Sequence, residues 1–147
     1  MEPLDLSVRP PRSCYEELDG LALMPRTIDK LRALLPGGNP GVYFINGKIT
    51  GISGHLLRYL GVDEGALSAA IAEAADEDEV AAWLRAHTDA AQYPALNDAF
   101  RRAKLKHVED LAYVTEIYAE TLAQHPDLVH MMDIIDADDR RMFGVTK

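Results

Sequence analysis

At 147 residues, with 48% hydrophobic and 27% charged side chains, the chain has the composition of a folded globular protein and lies far from the disordered class. Its formal net charge of −9 repels phosphate backbones, and the basic clusters (Arg9 with Arg12; Arg101, Arg102, Lys104 and Lys106) are too small to reverse that field, which argues against nucleic acid as a partner. Residues 1–5 lack the positive and apolar pattern of a signal peptide, no run approaches a membrane span, and the lone Cys14 cannot form an internal disulfide, so a cytoplasmic protein with no membrane partner is expected.

Taken in chain order, residues 1–20 hold Val8-Arg9-Pro10-Pro11-Arg12, whose paired prolines fix φ and remove donors. An extended arm that drapes over the body is expected there, with Cys14 as a partly exposed bystander. A first helix begins at Pro25, carries Ile28, Leu31, Leu34 and Leu35 on one face, and stops at Pro36-Gly37-Gly38. Val42-Tyr43-Phe44-Ile45, Asn46-Gly47 and Lys48-Ile49-Thr50 then predict a small β-hairpin, with Tyr43 and Ile45 on its buried side. A short helix over 55–60 ends at Gly61, and Asp63 caps another that turns Leu67 and Ile71 inward.

Asp76 and Glu79 have the spacing of a capping box, so the acidic run 76–79 predicts a helix start with Val80, Trp83 and Leu84 on the apolar face. Tyr93-Pro94 opens a helix burying Leu96, Phe100 and Ala103. Residues 105–124 read as the longest helix, with Val108, Leu111, Ala112, Ile117 and Leu122 in its stripe. A last helix carries Leu128, Met131, Met132 and Ile135, and 136–147 reads as a charged tail. The expected fold is mainly α: a single domain, a compact bundle of about six helices with one small β-hairpin.

Several chemical signatures come close and fail. Gly41 to Lys48 has one residue too many for a P-loop, and Ile49 stands where a magnesium-binding hydroxyl belongs. In Gly51-Ile52-Ser53-Gly54-His55, histidine replaces the last glycine of a nucleophile elbow, so Ser53 reads as a helix cap. A calcium loop starting at Asp136 would need glycine at Arg141 and glutamate at Lys147. His55, His87, His107, His125 and His130 lack the spacings of zinc or di-iron helices. No catalytic residue, metal ligand or cofactor is therefore assigned.

One constellation remains. Arg26, Asp29 and Lys30 follow Pro25 on the first helical turns, and Asn39, Tyr43 and Asn46 come shortly after. Unpaired N–H groups at the helix start, with Arg26, could hold a small anion; the structural alternative is an Arg-Asp ion pair that fixes the N-terminal arm.

The run Met24-Pro25-Arg26-Thr27-Ile28-Asp29-Lys30-Leu31-Arg32-Ala33-Leu34-Leu35-Pro36-Gly37, with Tyr43-Phe44-Ile45-Asn46, Leu60-Gly61-Val62-Asp63 and the stretch 76–84, resembles a bacterial family known as domain of unknown function 5069. The resemblance extends to about Leu105. It implies a small bacterial cytoplasmic protein, and it carries no activity and no catalytic role to any residue.

Two functions follow as expectations. The first is a non-catalytic helical protein-interaction or self-association module, forming a homodimer through Leu128, Met131, Met132 and Ile135. The alternative is a binder of a small polar or anionic metabolite, with or without enzymatic turnover, at Arg26, Asp29, Lys30, Tyr43 and Asn46.

Overall fold

The computed structural model describes residues 1–144, and the chain divides into two compact units, Met1–Pro94 and Ala95–Lys147. It is mainly helical: among the described residues there are eight α-helices and one two-stranded sheet.

In the first unit the N-terminal segment is hydrogen-bonded to the body. Leu4 and Leu6 exchange backbone hydrogen bonds with Arg32 and Asn39 over 2.7–3.2 Å, forming one parallel bridge between Asp5 and Asn39. Leu6 and Cys14 are fully buried, so Cys14 is a core residue and not the partly exposed bystander expected. The segment ends in the hairpin, β1 (Glu17–Leu18) against β2 (Leu21–Ala22), with Glu17 opposite Ala22 and Leu18 opposite Leu21. Its central residues Asp19 and Gly20 both have positive φ, 54° and 83°, which a two-residue turn matching the right-handed strand twist requires.

The hairpin expected around Asn46-Gly47 does not form. Neither residue has positive φ, and only an isolated Asn46–Thr50 bridge closes the segment. Ile45 is buried as expected, while Tyr43 is half-buried.

Helix α1 (Met24–Ala33) lies at the centre of this unit, with nine of its ten residues buried. It packs with α2 (Ile52–Leu60) and α3 (Glu64–Glu73), and α3 packs in turn with α4 (Glu77–His87). Their inward residues Ile28, Leu31, Leu56, Leu67, Ile71, Val80 and Leu84 make the core. Asp63 accepts from the Ala66 amide at 2.9 Å. Asp76 accepts from the Glu79 amide at 3.1 Å, and Glu79 reaches back to the Ala75 amide at 3.0 Å, so both acidic caps form as the sequence predicts. Two expectations fail here. Gly51, not Ser53, caps α2, and Ser53 is buried inside it. Trp83 is only half-buried, stacked on His87 with centroids 4.0 Å apart, because the i, i+4 spacing pairs the two rings on the outer flank of α4.

Helix α5 (Tyr93–Arg102) begins at the boundary and buries Tyr93, Asn97 and Phe100, whereas Leu96 and Ala103 are half-buried. The second unit continues through a 3₁₀ turn (Leu105–His107), α6 (Leu111–Ile117), α7 (Ala119–Gln124) and α8 (Met131–Phe143). The single helix expected over 105–124 is broken twice: Asp110 adopts a left-handed conformation, and Tyr118 serves as the C-cap of α6 and the N-cap of α7. Leu111 and Ile117 are consequently exposed, and the helix count rises from about six to eight.

Residues 136–143 are helical, not a charged tail, and Asp138 and Asp139 are buried. Residues 145–147 of that expected tail lie outside the described residues. Met131, Met132 and Ile135 are buried within the chain and Leu128 is half-buried, so the apolar stripe assigned to a partner is taken up by the chain's own core.

Candidate functional site

The polar residues worth considering gather on α1. A helix buried around nearly its whole circumference must also bury its polar face, and charges there require partners. Arg26 and Asp29 are each only 2% exposed and Lys30 6%, while Thr27 is fully buried.

Asp29 is satisfied by the N-terminal segment. The Arg12 amide donates to its Oδ2 at 2.8 Å, Arg12 Nε to the same oxygen at 3.1 Å, and Nη2 to Oδ1 at 3.0 Å. The same guanidinium grips Glu77 at the start of α4, with Nη1 donating to Oε1 at 3.1 Å and Nη2 to Oε2, and Nη2 also reaches the Pro25 carbonyl at 3.3 Å. Burial alone would lower the Arg12 pKa, but hydrogen bonds to Glu77 and Asp29, with the attraction of both carboxylates, outweigh it and hold the pKa above its ordinary value. Arg12 is therefore a permanent cation tying the arm, α1 and α4 together.

Arg26 is oriented by that clamp. Its Nη1 donates to the Arg12 carbonyl at 3.2 Å, and its guanidinium carbon lies 5.5 Å from the centroid of the Tyr43 ring, a cation–π arrangement. Tyr43 is placed by the loop after α1, where its amide donates to the Pro40 carbonyl at 2.9 Å. Gly41 lets that loop approach the arm: φ is +58°, and a Cβ there would stand 2.8 Å from the Leu6 carbonyl oxygen. One turn of α1 is joined to α2 by hydroxyls, with Thr27 Oγ1 donating to the Leu23 carbonyl at 2.8 Å and lying 2.9 Å from Ser53 Oγ.

Of the five residues singled out from sequence, the structure brings Arg26 and Tyr43 together. Lys30 is buried one turn beyond Arg26 on α1, and Asp29 is engaged by Arg12. Asn46 is exposed and donates from Nδ2 to Glu64 Oε1 on α3 at 3.0 Å. The expected ion pair between an arginine and Asp29 exists, but it runs from Arg12. Arg12, Glu77, Thr27 and Ser53 were missed as members of this network. The available signal was Arg12 itself, a cation held on a stiff Pro-Pro segment upstream of a helix carrying an acid.

The second unit has a smaller polar knot. Thr121 Oγ1 donates to Asp138 Oδ1 at 2.6 Å, Arg141 Nε donates to Thr121 Oγ1 at 3.1 Å, and Arg141 Nη2 donates to Asp138 Oδ1 at 3.1 Å, which ties α7 to α8. Among the described residues no group of three histidine, cysteine or acidic side chains is placed to hold a metal ion, and no helix is long and apolar enough to cross a membrane.

The sequence model of the domain of unknown function DUF5069 matches residues 8–141, nearly the whole chain. The protein belongs to the DUF5069 family. The match takes in most of both units and passes well beyond the Leu105 limit of the resemblance seen in the sequence. In this DUF5069 protein the Pro-Arg-x-x-Asp-Lys core supplies the buried polar face of α1, and the matched region takes in Arg12 and Glu77 as well. A comparison with curated proteins gave no match.

Proposed function

We propose that this DUF5069 protein is a non-catalytic helical module that works by associating with itself or with another protein. The observation that carries this reading is the internal use of the candidate polar groups. Asp29 is clamped by Arg12, Thr27 lies against Ser53, and Asn46 is turned to Glu64, so these groups act as structural ties. Its exposed apolar side chains include Val8 and Val42, at 71% and 69% exposure, on segments brought side by side by the Asp5–Asn39 bridge. Self-association, in this reading, uses that pair and not the buried residues Met131, Met132 and Ile135. The acidic composition and lone buried Cys14 fit a reducing bacterial cytoplasm.

Sedimentation at tens of micromolar, on the scale where modest interfaces associate, tests the proposal. The wild type should run above monomer mass, and the double variant Val8→Ser, Val42→Ser should shift toward monomer, with a melting temperature equal to the wild type's at dilutions where both are monomeric. A strictly monomeric wild type removes the self-association form of the reading.

The metabolite reading retains one supporting observation, the Arg26 guanidinium facing Tyr43. It requires a thermal-shift response to phosphate, sulfate or a small carboxylate. At about 100 times the dissociation constant the gain is roughly 2.7 kcal/mol, and a folded Arg26→Ala variant should lose it.

A further inference from the structure

We propose that Asn46 is a site of spontaneous deamidation, held back by Glu64, and that its conversion unlatches the 46–50 loop from α3. The chain has three asparagines, and the sequence and structure select among them. Asn39 precedes Pro40, which has no amide N–H to act as nucleophile. Asn97 is 7% exposed inside α5, where the helix fixes the following amide away from its carboxamide. Asn46 is exposed and precedes Gly47, which is also exposed and has no side chain to hinder ring closure.

In the reaction the Gly47 amide nitrogen loses its proton to solvent and bonds to Asn46 Cγ. The Cγ–Nδ2 bond breaks as Nδ2 takes a proton from solvent and departs as ammonia, leaving a five-membered succinimide. Water then opens the ring at either carbonyl to give aspartate or isoaspartate at position 46.

Two contacts restrain the step. The Gly47 amide donates to the Ile49 carbonyl at 2.9 Å, and Asn46 Nδ2 donates to Glu64 Oε1 at 3.0 Å. The first belongs to a loop closed by a single isolated bridge, so local opening releases it. The second holds the carboxamide on α3. After conversion the donor is gone and two carboxylates face each other, so the tie becomes a repulsion. The isoaspartate product also adds a backbone methylene at the position that bridges to Thr50.

The test is peptide mass spectrometry and isoelectric focusing of the full-length protein during incubation in mildly alkaline buffer. The wild type should gain one dalton and one negative charge, confined to the peptide containing Asn46. Glu64→Ala should convert several-fold faster, and Glu64→Gln, which keeps the acceptor, should stay near the wild-type rate. Gly47→Ala should slow conversion; Gly47 has no positive φ, and the nearest atom its Cβ would meet is in the Phe44 ring, at 3.4 Å. No conversion at Asn46 in either the wild type or Glu64→Ala, or a Glu64→Ala rate equal to wild type, would overturn the proposal.

Discussion

Arg12 carries a structural consequence beyond its own contacts, because Asp29 is almost fully buried and is held by it. Arg12→Ala leaves an uncompensated carboxylate inside the protein. Breaking a buried pair from one side costs about 3–5 kcal/mol, and because the Arg12 and Glu77 side chains retain 30% and 27% exposure, the lower end of that range applies here. Urea melts of Arg12→Ala should show it, and a double variant Arg12→Met, Asp29→Leu should recover most of the loss, since it removes both charges together. A loss below about 0.5 kcal/mol, typical of an exposed pair, would show the clamp to be dispensable. The sequence displayed the participants without showing which would meet. Arg26 lies three residues from Asp29 and is the obvious candidate, yet Arg12 is the partner, 17 residues away. Spacing along a helix predicts local neighbours, but it cannot foresee a rigid arm returning over the helix.

At the scale of elements, the comparison between Asp19-Gly20 and Asn46-Gly47 shows where legibility ends. Both dipeptides suit a two-residue hairpin turn, and residues flanking Asn46-Gly47 are richer in β-formers. The hairpin nevertheless forms at Asp19-Gly20, because Leu21 and Ala22 bury their side chains in the core and Arg85 holds the Asp19 carboxylate from α4. Tertiary burial outweighs local preference when strands are two residues long. Where acidic N-caps and apolar spacing agreed, as in α3 and α4, sequence was sufficient to place the helix starts and most of the inward residues, Trp83 excepted. It failed over 105–124, where Asp110 and Tyr118 interrupt a continuous apolar rhythm. Gly20→Ala should cost roughly 1–2 kcal/mol, the penalty for left-handed backbone at a residue with a Cβ. Open space surrounds that position, so the cost is conformational and not steric. An unchanged thermal midpoint in Gly20→Ala would show that the turn tolerates another geometry.

For the whole molecule, acid is the condition that reaches these ties. Asp19 has its pKa lowered below the ordinary 3.8, chiefly by the hydrogen bond from Arg85, and Asp5 is lowered by Ser7. A carboxylate depressed in the folded state binds its proton more readily once unfolded, so its stabilising contribution is present above the unfolded value and lost as pH falls through the folded one. Arg12 and Arg85 shift the opposite way, upward from the ordinary arginine value, so their contributions are complete at neutral pH and decline on the alkaline side only in strong base. Stability carried by these four groups should therefore be level from neutral pH down to the carboxylate range and fall below about 3.8, with no corresponding loss on the mildly alkaline side. Comparing urea melts of wild type and Asp19→Asn across pH isolates the exposed pair. The wild type should be the more stable at neutral pH, with the difference shrinking to nothing once pH passes below the lowered Asp19 value. A difference that persists unchanged into strong acid would mean that Asp19 acts through the shape of the β1–β2 turn and not through its charge on Arg85.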